Sequence, residues 1–498
     1  MNVNPITRLD YPDPDVIRVE DTYYMVSTTM HFMPGCEILQ SFDLVHWEHA
    51  TYVYETLDHT DAQQLKSGQN IYGQGMWAAS LRYHEGRFYI CFVANDTRKT
   101  YLYTSEKIDG PWKKQLIEGF YHDGSLLFDE DGRNYIVYGN DEIWITELNE
   151  DLTAPKKDGL HRLLVSDHKN PELGYEGSHI QKINGYYYIF LIHSLRDRWM
   201  RTEACFYSDS LEGEFTGGDV LCDDRGYCGQ GVAQGGIVDT PDGKWYAMLF
   251  QDSGAVGRIP ILVPVTWKDH FPFFGQNGHV PEEIEVHSTR PGYIYQPLVG
   301  SDDFCNGLLP RWQFNHDPDP RYYHLDALQG TYTITTREVC TELTQAVNTL
   351  TQRMSYPSCA AEVTVDASAL KEGDVAGLCA LQGCYAAVGV TKHHGKYEVL
   401  MLDKKEDGIL DMTERTVVES HQMDFRLEAD FCNMKDEARC YYRVNKGDWL
   451  PIGTVHKLYF KLDHFTGCRF GLFCYAAEET GGSACFRDFK YYDVDEIS

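Results

Sequence analysis

The sequence predicts an all-β chain: a five-bladed β-propeller followed by an antiparallel, lectin-like β-sandwich. Three observations carry this. A short glycine- or aspartate-led step runs into an aromatic strand five times in the first half. A second feature recurs at a fixed distance behind two of those steps. After residue 300 the texture changes to short alternating stretches between turn clusters, and no strong amphipathic helix occurs anywhere.

The five copies are Asp21-Thr22-Tyr23-Tyr24-Met25, Gly86-Arg87-Phe88-Tyr89-Ile90, Gly132-Arg133-Asn134-Tyr135-Ile136, Gly185-Tyr186-Tyr187-Tyr188-Ile189 and Gly243-Lys244-Trp245-Tyr246-Ala247. One hairpin unit recurring every ~45–65 residues is the signature of propeller blades. Tyr24 is followed by Ser41 to Trp47, and Tyr89 by Ser105 to Trp112, with 23 residues from tyrosine to tryptophan in both; Ser208 to Phe215 is a looser copy. These are read as the turn and aromatic plug that close the outer part of a blade. The pattern ends at Trp267. Residues 268–300, rich in Pro, Gly and His, read as a connecting segment. Beyond it, Ala361–Val365, Lys396–Leu400 and Leu458–Leu462 alternate as sandwich strands. The predicted domains are 1–297 (propeller) and 298–498 (sandwich).

The composition of this 498-residue chain is that of a folded globular protein, 43% hydrophobic and 24% charged, and its length calls for more than one core. Its 34 tyrosines, 9 tryptophans and 23 phenylalanines suit pleated sheets. A formal charge of −31 makes phosphate backbones and anionic lipid poor partners and favours a neutral substrate. No apolar run approaches the ~18 residues of a membrane span. Met1 to Ile6 shows no basic region leading into an apolar stretch. The 15 cysteines are scattered without a Cys-x-x-Cys pair. Both points lead to the expectation of a cytoplasmic protein with reduced thiols. No cluster has zinc spacing, and His393-His394 reads as a surface turn. The sequence leaves homo-oligomer formation open.

A propeller does not name its function. The informative residues are three acids beside turn residues, each just ahead of an apolar strand that would open a blade. Asp13 lies in Tyr11-Pro12-Asp13-Pro14-Asp15, with the prolines expected to hold it in extended backbone. Asp123 lies in His122-Asp123-Gly124-Ser125, and Glu176 in Tyr175-Glu176-Gly177-Ser178-His179. Glycoside hydrolysis needs two carboxyls in opposite protonation states, one to protonate the leaving oxygen and one to deprotonate water. A third acid can hold the donor's proton by like-charge repulsion.

These blocks, with Asn4-Pro5-Ile6 and Met33-Pro34-Gly35, resemble glycoside hydrolase family 43 over nearly the whole chain. The resemblance implies Asp13 as general base, Asp123 as pKa modulator and Glu176 as general acid, in an inverting single displacement; Asp15 is the rival to Asp13. It further implies substrate contacts from Trp77, from Phe32 at the sugar subsite, and from Arg258 near the modulating acid. Many relatives carry an axial histidine that helps anchor calcium; Gln234 stands there in Val232-Ala233-Gln234-Gly235. No cofactor is required for the chemistry, no metal residue is assigned, and structural calcium is in doubt. The implied activity is exo-cleavage of a terminal pentose from xylo- or arabinoxylo-oligosaccharides, by a β-D-xylosidase, an α-L-arabinofuranosidase, or both. The alternatives are an endo-acting arabinanase or xylanase, a fructan-cleaving propeller–sandwich hydrolase (whose Asn-Asp-Pro-Asn-Gly opening is missing), and a non-catalytic carbohydrate-binding propeller. The sandwich is open to three roles: glycan-binding module, active-site wall or stabilising partner.

Overall fold

The computed structural model describes residues 4–493, apart from the side chain of Thr413. Five four-stranded antiparallel sheets form the propeller. Blade 1 comprises Asp15–Val19, Thr22–Val26, Gly35–Ser41 and Glu48–Tyr54; blade 2, Met76–His84, Arg87–Ala94, Lys99–Ser105 and Lys113–Ile117. Blade 3 comprises Ser125–Phe128, Asn134–Asn140, Glu142–Leu148 and His161–Ser166; blade 4, Glu176–Ile183, Tyr186–Ser194, Arg201–Ser208 and Thr216–Leu221. Blade 5 comprises Ile237–Asp239, Trp245–Asp252, Arg258–Lys268 and Phe271–Phe274.

Each repeated step is the first hairpin of a blade. Gly86, Gly132, Gly185 and Gly243 all have φ between +78° and +85°, and a Cβ at any of them would meet nothing within 4 Å. The glycines therefore serve the left-handed turn, not close packing. The serine-to-aromatic copies are the outer turns between third and fourth strands. Ser41 Oγ accepts from the amides of Asp43 and Leu44, and Ser105 Oγ and Ser208 Oγ each accept from the amide two residues on. Trp47 Nε1 donates to Leu44 O at 3.0 Å, fixing the plug.

The segment expected as a connector begins later than the sequence suggests, because Phe271–Phe274 pairs with the end of Arg258–Lys268 as the outer strand of blade 5. From there the chain returns across blade 1, where Thr289 N donates to Phe42 O and Gln296 N to Glu48 Oε2. The ring is closed by the N-terminus. The Asn4 amide and the Leu262 backbone exchange two hydrogen bonds of 2.8 and 2.9 Å, and Ile6 N donates to Pro260 O.

At the propeller axis sits Arg82, from the innermost strand of blade 2. Its guanidinium donates to Asp15 Oδ2 (2.7 Å, blade 1), Ser125 Oγ and Leu126 O (2.7 and 2.8 Å, blade 3) and Ile180 O (3.1 Å, blade 4). Asp15 completes the cluster through His179 Nδ1 at 3.1 Å. Although burial opposes ionisation, Arg82 and the His179 hydrogen bond hold the Asp15 carboxyl down at about 2.

The second half is a sandwich of an eight-stranded and a seven-stranded sheet. Between them lies a large apolar core that includes Leu350, Val363, Leu378, Val388, Phe425 and Phe486. Two expected strands lie within Ser358–Asp366 and Lys396–Lys404. Leu458–Leu462 is instead a loop between the strands Leu450–Lys457 and Arg469–Tyr475. Phe32–Met33 leaves the propeller to become the edge strand of the eight-stranded sheet, pairing with Gln313–Asn315. A buried ion pair, Arg353 to Glu37 at 2.8 Å, joins the two halves. None of the fifteen cysteines is in a disulfide. Among the described residues no helix is long and apolar enough to cross a membrane.

Candidate active site

A cavity of about 670 Å³ opens at the end of the propeller where the innermost strands begin. Asp13, Asp123 and Glu176 all line it, each at or within two residues of the start of its blade's first strand. Asp13 and Asp123 are left-handed, with φ of +52° and +47°, so Asp13 is not in the extended backbone its prolines suggested. A non-glycine residue pays about 1–2 kcal/mol for that geometry. Here side-chain contacts fix it: Thr28 Oγ1 donates to Asp13 Oδ2 at 2.7 Å, and Gly177 N to Asp123 Oδ2 at 3.0 Å.

Asp13 is further held by Arg258, whose Nη1 lies 3.0 Å from Oδ1. The resemblance placed this arginine near the modulating acid; the carboxylate it grips is Asp13. Arg258 lines the cavity but is only 3% exposed, and its Nε and Nη2 are buried without a protein partner. Asp10 anchors its backbone, accepting from Arg258 N with one oxygen and from Gly467 N of the sandwich with the other, both at 2.7 Å.

The second carboxyl pair is organised around His122. Its Nε2 lies 3.5 Å from Asp123 Oδ2 and 3.6 Å from Glu176 Oε2, and Asn140 Nδ2 donates to Glu176 Oε2 at 2.6 Å. Burial pushes the Asp123 carboxyl up to about 6; Glu176 and Asp13 push the same way, and His122 opposes them. The negative field of Asp123, reinforced by Glu176, raises the His122 imidazole to about 9 despite its burial. The three donors lie within 4.8 Å of one another. The raised Asp123 carboxyl and the raised His122 imidazole thus form a proton-rich pair beside Glu176.

Trp77 lines the cavity beside His122 and Phe465, with ring centroids 6.0 and 5.5 Å away. Phe32 does not line it. Its strand pairs into the sandwich sheet, which turns the ring into the interdomain core, fully buried beneath the Arg469 guanidinium at 3.5 Å. Asp15 is likewise outside the cavity, committed to the axis. Calcium does not fit the axial groups: a hard cation wants six to eight oxygens, whereas the axis holds a guanidinium and both Asp15 oxygens are engaged. Gln234 lines the cavity, its amide packed where a Cβ on Gly177 would lie.

The sequence reading missed His122, Asn140, Trp199, Arg201 and Asp252, and it left the sandwich's part as an active-site wall one of three open roles without naming its residues. The loop carrying Phe460, Lys461, Leu462 and Phe465 forms one wall of the cavity. The adjacency of His122 to Asp123 was the one available signal.

A five-bladed propeller presenting three acids in one walled cavity is the architecture of a glycoside hydrolase. Residues 3–272 match the family model "Glycosyl hydrolases family 43" and residues 301–492 "Beta xylosidase C-terminal Concanavalin A-like domain", so the chain belongs to glycosyl hydrolase family 43. A solved structure described as a bifunctional GH43-CE protein from Bacteroides eggerthii superposes with TM-score 0.92 at 42% identity, covering 99% of this chain. The present chain spans 63% of that longer protein. A GH43 glycoside hydrolase engineered to display both endo-xylanase and exo-arabinofuranosidase activity superposes with TM-score 0.87 at 27% identity, covering 99% of each chain. A β-xylosidase from Formosa agariphila is 27% identical over 99% of this chain and 89% of its own.

Proposed function

We propose that the protein is an inverting exo-glycosidase that removes a terminal pentose, first of all β-D-xylose, from hemicellulose oligosaccharides. The observation that carries this is the convergence of Asp13, Asp123 and Glu176 on a cavity walled off by the sandwich loop. A walled pocket admits a chain end and turns away the middle of a polymer. Asp13, fixed by Thr28 and Arg258, is the base that takes a proton from water. Glu176, held by Asn140, gives its proton to the leaving oxygen, and Asp123 keeps that proton in place by like-charge repulsion. Arg258, which lines the cavity beside the base, binds hydroxyls of the terminal sugar. The names of the relatives favour xylose, with α-L-arabinofuranose as the second reading, since the two sugars present similar hydroxyls in one pocket.

Proton NMR of the protein acting on an arabinose-decorated xylo-oligosaccharide, recorded from the first minutes, tests this. Free α-xylose ahead of mutarotation is the expected result. Free arabinose with the xylose backbone untouched moves the assignment to arabinofuranosidase, and release of no sugar overturns the proposal.

A further inference from the structure

Beyond the three acids, the cavity is lined by a second arginine–aspartate pair that takes no part in the proton chemistry. Arg201 opens the third strand of blade 4 and Asp252 ends the second strand of blade 5. Arg201 Nη1 donates to Asp252 Oδ2. The pair engages at one corner only, for Arg201 Nε and Asp252 Oδ1 have no partner. Arginine and carboxylate commonly satisfy each other through two parallel bonds. Both of those atoms are sealed from water as the pair stands, so the pair lines the cavity with two side chains that do not saturate each other.

Aromatic rings fix where the pair stands. Phe250 has two guanidinium groups near its ring, 5.5 Å away for Arg258 and 5.3 Å for Arg201. Arg258 grips Asp13, so Arg201 shares an aromatic neighbour with the arginine that holds the proposed base. Arg201 also lies 5.5 Å from the ring of Trp199, whose indole lines the cavity and is 44% exposed. A scattered exposed aromatic needs no explanation. An indole at a cavity mouth, beside a charged pair with unused hydrogen-bonding capacity, offers both things a sugar ring presents: an apolar face and neighbouring hydroxyls.

We propose that Trp199, Arg201 and Asp252 form the subsite for the leaving-group sugar, with the Arg201–Asp252 pair reading two neighbouring hydroxyls on it. The guanidinium donates to one hydroxyl oxygen, and the adjacent hydroxyl donates to the Asp252 carboxylate; no bond is made or broken. The inference rests on the glycosidase reading and adds to it which residues choose among leaving groups.

The test compares xylobiose, whose leaving group carries these hydroxyls, with 4-nitrophenyl β-D-xyloside, whose leaving group has none. In the full chain the double variant Arg201→Gln/Asp252→Asn removes both charges together and strands neither, and Arg201→Lys serves as a milder companion. The ratio of kcat/KM for xylobiose to that for the aryl xyloside is expected to fall about tenfold or more in the double variant. Trp199→Ala is expected to weaken both substrates, because an aryl group stacks on the indole as a sugar does. An unchanged ratio, with or without a common loss on both substrates, overturns the subsite. A wild-type protein inert on both substrates would instead count against the glycosidase reading. The subsite is then judged by calorimetric titration with xylobiose: weaker binding in the double variant supports it, whereas equal or absent binding in both proteins overturns it.

Discussion

Phe465, carried by the sandwich, stacks 4.3 Å from the guanidinium of Arg258, carried by the propeller. The same arginine holds Asp13, so the second domain reaches the proposed base through one side chain. The contact is desolvated, and a cation–π pair in that setting is worth about 2 kcal/mol. Phe465→Ala is therefore expected to lower kcat/KM about tenfold to thirtyfold while the chain stays folded. Steady-state kinetics beside a thermal melt check this. A full loss of activity with an unchanged melt would mean the loop does more than brace Arg258.

Removing the repulsion at this proton-rich pair has a direction that can be worked out. With Asp123 at about 6, a proton resides among the acids around His122 below that pH and leaves above it. On the proposed mechanism, Asp123→Asn keeps an acceptor for Gly177 N but removes the charge that would hold the donor's proton. The basic limb of the pH profile of kcat/KM should move to lower pH, and kcat should fall by about two to three orders of magnitude. Glu176→Gln should lose more on natural substrates and least on substrates with a good leaving group. A basic limb that stays in place in Asp123→Asn would remove Asp123 from its modulating role.

The legible parts of this molecule were those that repeat or that sit at fixed positions in a repeat. All five hairpin turns hold a left-handed residue, and in four of them glycine supplies it (Glu20 in the first), so the blades announced themselves. The three acids were legible because each blade's first strand begins beside a turn residue. What stayed hidden depends on partners far away in the chain. Leu458-Tyr459-Phe460-Lys461-Leu462 alternates like a strand, yet only Leu458 stays in the sandwich core while Phe460 and Leu462 line the cavity at the propeller. Phe32 sits in a motif that resembles a subsite, but its strand pairs with Gln313–Asn315, nearly 300 residues on. Arg82 gave no signal at all, because a hub is defined only once the blades are in a ring.

That hub makes a stability prediction. Arg82→Met would leave the fully buried Asp15 with its charge uncompensated except by His179, and would free acceptors in two other blades. Breaking one side of a buried ion pair costs about 3–5 kcal/mol. A marked drop in the propeller's urea midpoint is expected. The double variant Arg82→Met/Asp15→Asn should recover part of it, since no buried charge is then stranded. Equal midpoints for wild type and Arg82→Met would show that the ring closes without its axial cation.

The interface between the domains makes a prediction about stability in acid. His31 of the propeller meets His316 and His464 of the sandwich, with ring centroids 4.7 and 5.1 Å away, and Tyr72 and Asn315 complete the cluster. Five of the six imidazole nitrogens have no partner; the sixth, His316 Nε2, accepts from Ile71 N. The charged group facing the cluster is Arg469, itself a cation. Burial holds His31 and His316 well below the usual imidazole range and brings His464 down to about 3, with the neighbouring imidazoles and Arg469 acting in the same direction. The unfolded chain therefore binds these protons first, and stability is lost as pH falls below about 6.5, by about 1.4 kcal/mol per pH unit for each imidazole. Asp123 works in the opposite sense between about 6 and 4, because its raised carboxyl is protonated in the folded state first. His464→Phe keeps the stacking on Tyr72 and removes one titrating ring. Urea unfolding at pH 7, 6 and 5 should show its stability falling less steeply with acid than the wild type's, by about one proton's worth of slope. Because His464 adjoins Phe465, activity at pH 5 should also outlast that of the wild type; parallel slopes in the two proteins would clear the histidines of any part in acid unfolding.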